Sequence, residues 1–210
     1  MGNSKSFILQ KIRAALKTST RRPFKETDSK ALPFQSLQQD IVVEFAEQFT
    51  QLQGKFDFCT NGFELADHFE TLCSEKGWKN IFCSDEKFSV LLPDALVHNN
   101  IATCDAAVTG CEALVARTGS IMLSSQNSGR ITSVYAPVHI CIAYTSQLVY
   151  DLSEALAFLK LKYKDQLPSF ITFATGPSRT ADIEKTLVMG AHGPRELYVF
   201  LIEDSFRDIT

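Results

Sequence analysis

The 210-residue chain predicts an α/β fold, built on a mainly parallel sheet with helices against its faces. Short apolar runs typical of strands alternate along the chain with longer segments whose apolar residues recur at helical spacing. This alternation is typical of parallel strands joined by helices. The hydrophobic content of 45% is also enough for one sizeable core, and a chain of this length buries about 70% of its unfolded surface.

The first helix of the predicted domain covers residues 41–52, where apolar residues recur every three or four positions and Gly54 follows as a stop signal. A second helix, at 63–76, ends in the same way at Gly77. Further helices are predicted at 152–161 and 181–189. The predicted strands cover residues 56–59, 81–83, part of 101–108, 121–123, 140–143, 171–174 and 198–202.

Residues 1–35 are predicted to form a basic helical arm and linker, and residues 36–210 a single domain. The first 25 residues carry +7 and the remaining 185 carry −10, which gives the total of −3. An amphipathic helix is expected to end near Thr18. It could dock on its own domain, on a second copy in a homo-oligomer, or on an acidic partner, or it could be a transit peptide or membrane-surface helix. The apolar residues on its predicted face are Ile8, Leu9, Ile12, Ala15 and Leu16.

Composition argues against several other classes of protein. No run reaches the ~18 apolar residues of a membrane span, and no signal-peptide pattern follows the first residues, so a soluble, cytoplasmic protein is expected. The acidic charge of the predicted domain argues against nucleic acid as a partner. The six cysteines form no C-x-x-C pair. They are predicted to be reduced core residues, so we expect no metal and no cofactor in this chain.

A glycine-proline turn provides the first functional signal. Gly176-Pro177 ends the predicted strand at 171–174, and Ser178, Arg179 and Thr180 lead into the predicted helix at 181–189. Unpaired backbone N–H groups, two hydroxyls and a guanidinium at a helix N-terminus favour a carboxylate or phosphate. The sequence therefore predicts that this turn binds a small anionic ligand.

A second turn of the same kind, Gly193-Pro194-Arg195, stands immediately before the last predicted strand. His192 and Glu196 flank it, and we include both in the predicted ligand site. The acids nearest the two arginine turns, Glu196 and Asp182, are expected to pair with those arginines. In an open parallel sheet, ligands bind at the carboxyl ends of the strands, and both turns are expected to lie there.

A polar loop at residues 124–130 contributes the last candidate residues, Gly129 and Arg130. Glycine allows close backbone approach and arginine offers a bidentate fork, so the loop could close over an anion, although a polar hairpin tip has the same composition. Ser178 is a poor match to a nucleophile elbow because Thr180 stands where the second glycine is required. His192 or His139 could act as a base, but nothing in the sequence brings either to Ser178, and no catalytic residue is assigned.

Several motifs together resemble the LUD (lactate-utilisation) domain family, and within it the LutC type. The likeness covers roughly residues 100–204, and Arg117 stands where the family often has an acid before the threonine-glycine turn. The motifs, in the order the family shows, are CDAAVTG at 104–110, TG at 118–119, SGR at 128–130, APVHI at 136–140, GPSRTADIE from Gly176 and HGPREL from His192.

The resemblance implies the fold shared by ribose-phosphate isomerases, glucosamine-phosphate isomerases and CoA transferases. It also implies a LutC-like subunit that supports oxidation of L-lactate to pyruvate together with LutA-like and LutB-like iron-sulfur subunits. The iron-sulfur clusters would then belong to those partners. A stand-alone isomerase or transferase acting on a phosphorylated or nucleotide-bearing small molecule is the alternative, and a structural or regulatory subunit with a vestigial cleft is a third interpretation.

Overall fold

The computed structural model describes residues 4–17, 36–126, 129, 131–164, 166–183, 186–190 and 192–204. The chain divides into two compact units, Met1–Ser36 and Leu37–Thr210. The first contains helix α1, Ser4–Leu16, whose apolar side chains Phe7, Ile8, Ile12 and Leu16 are exposed. An amphipathic helix was predicted for this segment, and the structure has a helix here. Among the described residues, no helix is both long and apolar enough to cross a membrane.

The second unit contains the remaining helices and all the strands of the described residues. The helices are α2 Ile41–Gln51, α3 Gly62–Lys76, α4 Glu86–Ser89, α5 Thr132–Tyr135 and α6 Leu152–Tyr163. The strands are β1 Lys55–Cys59, β2 Ile81–Cys83, β3 Val97–His98, β4 Ala106–Thr109, β5 Ala113–Val115, β6 Ser120–Ser124, β7 Val138–Tyr144, β8 Leu148–Val149, β9 Ile171–Ala174, β10 Arg179–Ile183, β11 Thr186–Met189 and β12 Glu196–Ile202.

The main sheet has six strands in the described residues, in the order β1-β12-β7-β4-β2-β3, and every pair is parallel. Strand β7 lies inside the sheet, where it pairs with β12 over its whole length and with β4 on the other side. Six of its seven residues are buried, as expected for a strand covered on both faces. The predicted α/β fold with a mainly parallel sheet is confirmed.

The two faces of the main sheet bury different sets of residues because neighbouring side chains on a strand point in opposite directions. On one face, Ile140, Tyr198 and Phe200 pack against Leu65 and Phe69 of α3. The opposite face packs against α2 and the second sheet. Its buried residues include Phe45, Phe49, Leu114, Ile121, Leu123, Cys141, Ala143, Val199 and Leu201.

The second sheet has the order β8-β5-β6-β9 and mixes parallel and antiparallel pairs. Strands β5 and β6 form an antiparallel hairpin that turns at Thr118-Gly119. The far face of this sheet buries Val115 and Met122 against Ala155 and Leu159 of α6. The predicted helix at 152–161 is confirmed as α6, and it covers the second sheet.

The predicted helix at 181–189 is wrong. Strands β10 and β11 occupy this segment and pair antiparallel, with Thr180 opposite Val188 and Ile183 opposite Thr186. Short apolar runs fit helical and strand periods equally well, and the β-branched residues at these paired positions favour the strand. No helix N-terminus therefore follows the Gly176-Pro177 turn, and the electrostatic reason for expecting an anion there is lost.

The polar loop at 124–130 joins β6 to helix α5. It does not turn between two paired strands, because β6 pairs with β5 and β9. The hairpin-tip interpretation of this loop is therefore wrong. Gly129 adopts a positive φ of 64°, which suits glycine in a tight loop.

Candidate functional site

The two glycine-proline turns lie side by side. The backbone N–H of Ser178 donates to the carbonyl of Pro194 at 2.9 Å, and Gly190 N donates to the carbonyl of Ser178 at the same distance. A methyl group at Gly193 would lie 3.2 Å from Ser178 Cβ, so the absence of a side chain there allows this close approach. The sequence predicted both turns but gave no reason for their contact.

The second turn lies at the opposite edge of the sheet from the one predicted. Residues 193–195 directly precede β12, and Arg195 N donates to the carbonyl of Pro137, the residue before β7, at 2.8 Å. Since β12 and β7 run parallel, this turn lies at their amino ends. The order and direction of the strands determine at which edge of the sheet the turn lies, and the sequence of the turn itself contains no information about either.

Arg179 is engaged with the end of helix α2. Its Nη2 donates to the carbonyl of Leu52 at 2.5 Å, and Leu52 is the C-cap of that helix. Gly176 has a φ of 85°, and a methyl group there would lie 2.8 Å from the same carbonyl oxygen. A cation at a helix C-terminus is stabilised by the unpaired carbonyls and the helix dipole. This part of the motif therefore secures α2 in the fold.

Arg195 extends across Gly190 and is exposed. Gly190 has a φ of 79°, and a methyl group there would lie 2.1 Å from Arg195 Cγ, so only glycine leaves room for the arginine side chain. Among the ion pairs of the described residues, none includes Arg195. His192 is exposed, and Ser178, whose backbone is bonded to Pro194 and Gly190, is half-buried.

Glu196 pairs with lysines in the structure, so its predicted pairing with Arg195 is wrong. Lys55 Nζ donates to its carboxylate, Lys76 Nζ lies 3.3 Å away, and the Tyr198 hydroxyl donates at 2.7 Å. Burial opposes ionisation, but the hydrogen bonds from Lys55 and Tyr198 lower the pKa of Glu196 to about 2. Burial, and then Glu196, raise the pKa of Tyr198 to about 12.

Three residues that were predicted to bind the ligand or to pair with an arginine lie wholly or partly outside the described residues. Arg130 lies outside the described residues, as do the side chains of Thr180 and Asp182. The backbone of Thr180 belongs to β10, opposite Val188.

Sequence reasoning missed a buried carboxylate, Glu112, whose side chain is 0% exposed. Ser124 Oγ donates to it, Lys162 Nζ donates at 2.8 Å and the Tyr163 hydroxyl donates at 2.9 Å. It lies just after the carboxyl end of β4, the edge at which parallel sheets bind ligands. A lone acid in the apolar run VTGCEALVA was the available signal, because a buried charge requires partners.

The partners of Glu112 are electrostatically coupled to it. Burial alone would lower the pKa of Lys162, but the hydrogen bond and charge of Glu112 raise it overall. Burial and then the hydrogen bond to Glu112 raise the pKa of Tyr163. The cluster therefore holds a lysine and a tyrosine in their protonated forms beside a carboxylate.

His139, one of the two histidines considered as a base, is buried in the main sheet. Burial lowers its pKa to about 4, so the ring is neutral at ordinary pH. The Thr109 hydroxyl donates to the Gly110 carbonyl at 3.0 Å, which leaves its oxygen to accept from His139 Nε2 at 2.8 Å. Nδ1 has no hydrogen-bond partner among the described residues.

Arg117 and the threonine-glycine turn have structural roles. Arg117 Nε lies 2.6 Å from Asp151 Oδ2, and Asp151 caps α6 by accepting from Ser153 N. Gly119 has a φ of 57°, and a methyl group there would lie 2.6 Å from the backbone nitrogen of Phe49 in α2. The turn therefore requires glycine for its own conformation and for contact with α2.

The six cysteines are reduced and form no disulfide. Burial raises the pKa of Cys59 to about 12 and that of Cys73 to about 11, so these thiols stay protonated in the absence of a cation. Among the described residues, the one group of three or more possible metal ligands is Asp57, Cys59 and His68, whose ligand atoms all lie within 4.8 Å of one another.

The LUD domain model matches residues 42–202, which covers the main sheet, the second sheet and both turns. The chain belongs to the LUD-domain family. The motifs that suggested this family are thus distributed over one contiguous domain, and those that contain Gly119, Gly176 and Gly193 are explained in part by packing.

Proteins named lactate utilization protein C are among its relatives. The one from Bacillus licheniformis is 39% identical over 100 residues, which are 46% of this chain and 42% of that protein, so the matched segment spans less than half of the relative. The one from Anoxybacillus flavithermus is 26% identical over 94% of this chain and 98% of its own length. The crystal structure of a DUF162 family protein from Deinococcus radiodurans matches 77% of this chain and 96% of its own with a TM-score of 0.61, and at 19% identity it supports the fold alone.

Proposed function

We propose that this LUD-domain protein is a LutC-like, cytoplasmic subunit of an L-lactate utilisation system. It would support the oxidation of L-lactate to pyruvate together with LutA-like and LutB-like iron-sulfur subunits. The observation that carries the proposal is the match to a lactate utilization protein C along 94% of this chain and 98% of the relative.

The positions of the cysteines support assigning the redox centres to partner subunits. An iron-sulfur cluster is typically held by four converging thiolates. In the described part of the chain, Cys59 is the one cysteine in a group of three or more potential ligands, and that group contains no second cysteine. Cys111 and Cys141 contact each other as a buried pair, and no set of four cysteines converges among the described residues.

The proposed contribution of this chain is a small-anion site at the paired turns. Arg195 has an exposed planar guanidinium, which can bind a carboxylate such as that of a 2-hydroxy acid through two parallel hydrogen bonds. His192 and the Ser178 hydroxyl would add further polar groups from the same two turns. Gly129 and Arg130 remain proposed contributors from the polar loop. Arg179 contributes less, because one of its N–H groups already donates to Leu52.

Calorimetry with lactate, pyruvate, phosphate and sulfate tests this site. Arg195→Ala should lose on the order of 1 to 3 kcal/mol of anion binding, because it removes a charge-assisted hydrogen bond. Arg179→Ala should lose less. Lys87→Ala, a charge removal at an exposed position of α4, is the matched control and should leave binding unchanged. Equal losses in Arg195→Ala and Lys87→Ala would mean that only net charge matters, and the proposed site would be abandoned.

The basic arm is proposed to mediate association with an acidic partner surface. It carries +7 over 25 residues while the rest of the chain carries −10, and such attraction weakens as salt shortens the screening length below about 8 Å. Deletion of residues 1–25 should abolish co-purification with the iron-sulfur subunits without changing the melting temperature. A lower melting temperature with intact association would show that the helix stabilises its own domain instead.

A stand-alone isomerase or transferase is the second candidate, and Glu112 is the observation that favours it. A buried carboxylate next to a lysine and a tyrosine, at the carboxyl end of a parallel strand, has the composition of a proton-transfer site. The test is turnover of sugar phosphates and acyl-CoA thioesters in deuterated water, followed by mass spectrometry. Deuterium incorporation that disappears in Glu112→Gln would favour this candidate over the LutC-like subunit.

A further inference from the structure

A cluster of three unlike side chains lies between the edge strand β1 and helix α3. Asp57 Oδ2 lies 3.0 Å from His68 Nδ1, and Cys59 Sγ lies 3.9 Å from the same nitrogen. The two ligands on β1 are two positions apart, so their side chains leave the same face of the strand. Helix α3 covers this face and brings His68 to them.

A nucleophilic Cys-His-Asp arrangement does not fit these contacts. Such a triad needs the nucleophile on one ring nitrogen and the orienting carboxylate on the other. Here, Cys59 and Asp57 both approach Nδ1 of His68. Three electron-pair donors that converge on one point instead fit a shared cation.

The separations match those around a zinc-type ion. Typical bond lengths of about 2.0 to 2.3 Å and tetrahedral angles place neighbouring nitrogen, oxygen and sulfur ligands roughly 3.3 to 3.6 Å apart. The Asp57–His68 and Cys59–His68 distances of 3.0 and 3.9 Å bracket that range, and the ligand atoms of Asp57 and Cys59 lie within 4.8 Å of each other.

The other nitrogen of the histidine supplies an independent observation. His68 Nε2 lies 3.9 Å from Glu64 Oε1, one helical turn earlier on α3, which is an ion-pair distance and longer than a hydrogen bond. Metal-binding histidines commonly donate their second N–H to a carboxylate, which fixes the tautomer and orients the ring. Glu64 is itself held in place by Thr60, whose N–H and hydroxyl donate to Oε2 at 2.7 and 2.6 Å.

The cluster is accessible from solvent. Asp57 and His68 line a cavity of about 360 Å³, whose other lining residues include Lys55, Thr71 and Tyr198. The side chains of His68 and Asp57 are 40% and 39% exposed, whereas Cys59 is buried. Three protein ligands leave one tetrahedral position, and the cavity has room there for water or a small oxyanion beside Lys55.

We propose that Asp57, Cys59 and His68 bind a single divalent cation of the zinc type, with Glu64 positioning His68. The mixed sulfur, nitrogen and oxygen ligands suit zinc or cobalt better than magnesium or calcium, which prefer oxygen alone. On binding, the Cys59 thiol releases its proton to solvent and the thiolate bonds to the metal. His68 exchanges its ring proton with solvent to the tautomer that carries it on Nε2, so that Nδ1, which otherwise donates to Asp57, gives its lone pair to the metal. This site revises the prediction of a metal-free chain and does not depend on the role in lactate utilisation.

The experiment uses the full chain, stripped of metal and titrated with Zn²⁺ and with Co²⁺. One equivalent should bind, and the Co²⁺ form should show the charge-transfer band of a cobalt-thiolate bond together with the strong visible bands of tetrahedral cobalt. Asp57→Asn and His68→Asn should each weaken metal binding by about 10- to 100-fold or more. Glu64→Gln should weaken metal binding by about 10- to 100-fold. Cys59→Ser should abolish the thiolate band.

Matched controls separate this site from others. His98→Asn and Cys83→Ser alter a histidine and a cysteine outside the cluster and should leave both affinity and spectrum unchanged. Asp57→Asn and His68→Asn change side chains that are well exposed, so their folding can be verified by thermal melting. The proposal is overturned if no equivalent of Zn²⁺ or Co²⁺ binds, if His68→Asn binds the metal as tightly as the wild type does, or if the cobalt spectrum lacks a thiolate band.

Discussion

Two glutamates of this domain share almost the same partners and differ in burial. Glu112 accepts hydrogen bonds from Lys162, Tyr163 and Ser124, and its side chain is 0% exposed. Glu196 has Lys55, Lys76 and Tyr198 around it, and its side chain is 34% exposed. One cluster supports the second sheet, and the other lies at the amino edge of the main sheet.

This difference in burial shows that two carboxylates with similar partners can contribute very differently to the free energy of unfolding. Water can replace any partner that Glu196 loses, so its ion pairs should contribute no more than about 1 kcal/mol. Glu112 has no such replacement, and loss of one partner leaves a buried charge without compensation, at a cost of about 3 to 5 kcal/mol. The predictions below test this contrast.

The largest effect is expected for Lys162→Met, which removes the only cation bonded to Glu112 among the described residues. We expect the free energy of unfolding to fall by about 3 kcal/mol, the low end of the range, because Lys162 is itself 42% exposed. Urea denaturation measures this change. Lys160→Met, the control, changes an exposed position on the same helix and should change the free energy of unfolding by less than about 0.5 kcal/mol. Similar losses in both variants would contradict the larger energetic role assigned to the partners of the buried Glu112.

A smaller effect is expected when a single hydroxyl is removed from each cluster. Tyr163→Phe deletes a 2.9 Å hydrogen bond to the buried Glu112 and should lower the free energy of unfolding by about 1.5 to 3 kcal/mol. Tyr198→Phe deletes the corresponding 2.7 Å bond to Glu196, which keeps its lysines and water, and should cost less than about 1.5 kcal/mol. If Tyr198→Phe were the more destabilising variant in chemical denaturation, burial would not be the deciding factor.

The smallest effect is expected for Glu196→Gln, and it should depend on pH. Because the folded-state pKa of Glu196 is lowered from 4.5 to about 2, its stabilisation is present above pH 4.5 and is lost as the pH falls toward 2. The wild type should therefore exceed the variant by less than about 1 kcal/mol at pH 7, and the difference should vanish near pH 2. A difference that grew on acidification would contradict the assigned pairing.

Helices and strands whose apolar residues recur at one clear spacing were predictable from the sequence. Segments whose apolar residues fit both the helical and the strand spacing were not. Helix α3 and its stop at Gly77 follow from spacing and from a left-handed glycine, φ 68°, at the C-cap. The sequence at 181–189 fits both periods, and its described residues, 181–183 and 186–189, lie in strands β10 and β11. The pairing of the two strands with each other, together with the β-branched residues at the paired positions, decides between the two.

The candidate site was predictable as a set of residues but not as a geometry. Both arginine turns were identified, yet their contact through Ser178 and Pro194 depends on sheet order, as does the position of the second turn at the amino edge of the main sheet. Glu112 could not be paired from sequence because Lys162 and Tyr163 lie 50 and 51 residues away. Long-range contacts of this kind leave no local pattern.

The most direct test of the central claim is reconstituted lactate oxidation. The LutA-like and LutB-like subunits are purified with and without this chain, and L-lactate-dependent reduction of a dye is measured alongside the iron content of each component. We predict that the chain alone is iron-free and inactive, and that lactate oxidation requires its addition to the iron-containing subunits. Full activity without this chain, or stoichiometric iron in an iron-sulfur cluster within it, would contradict the account.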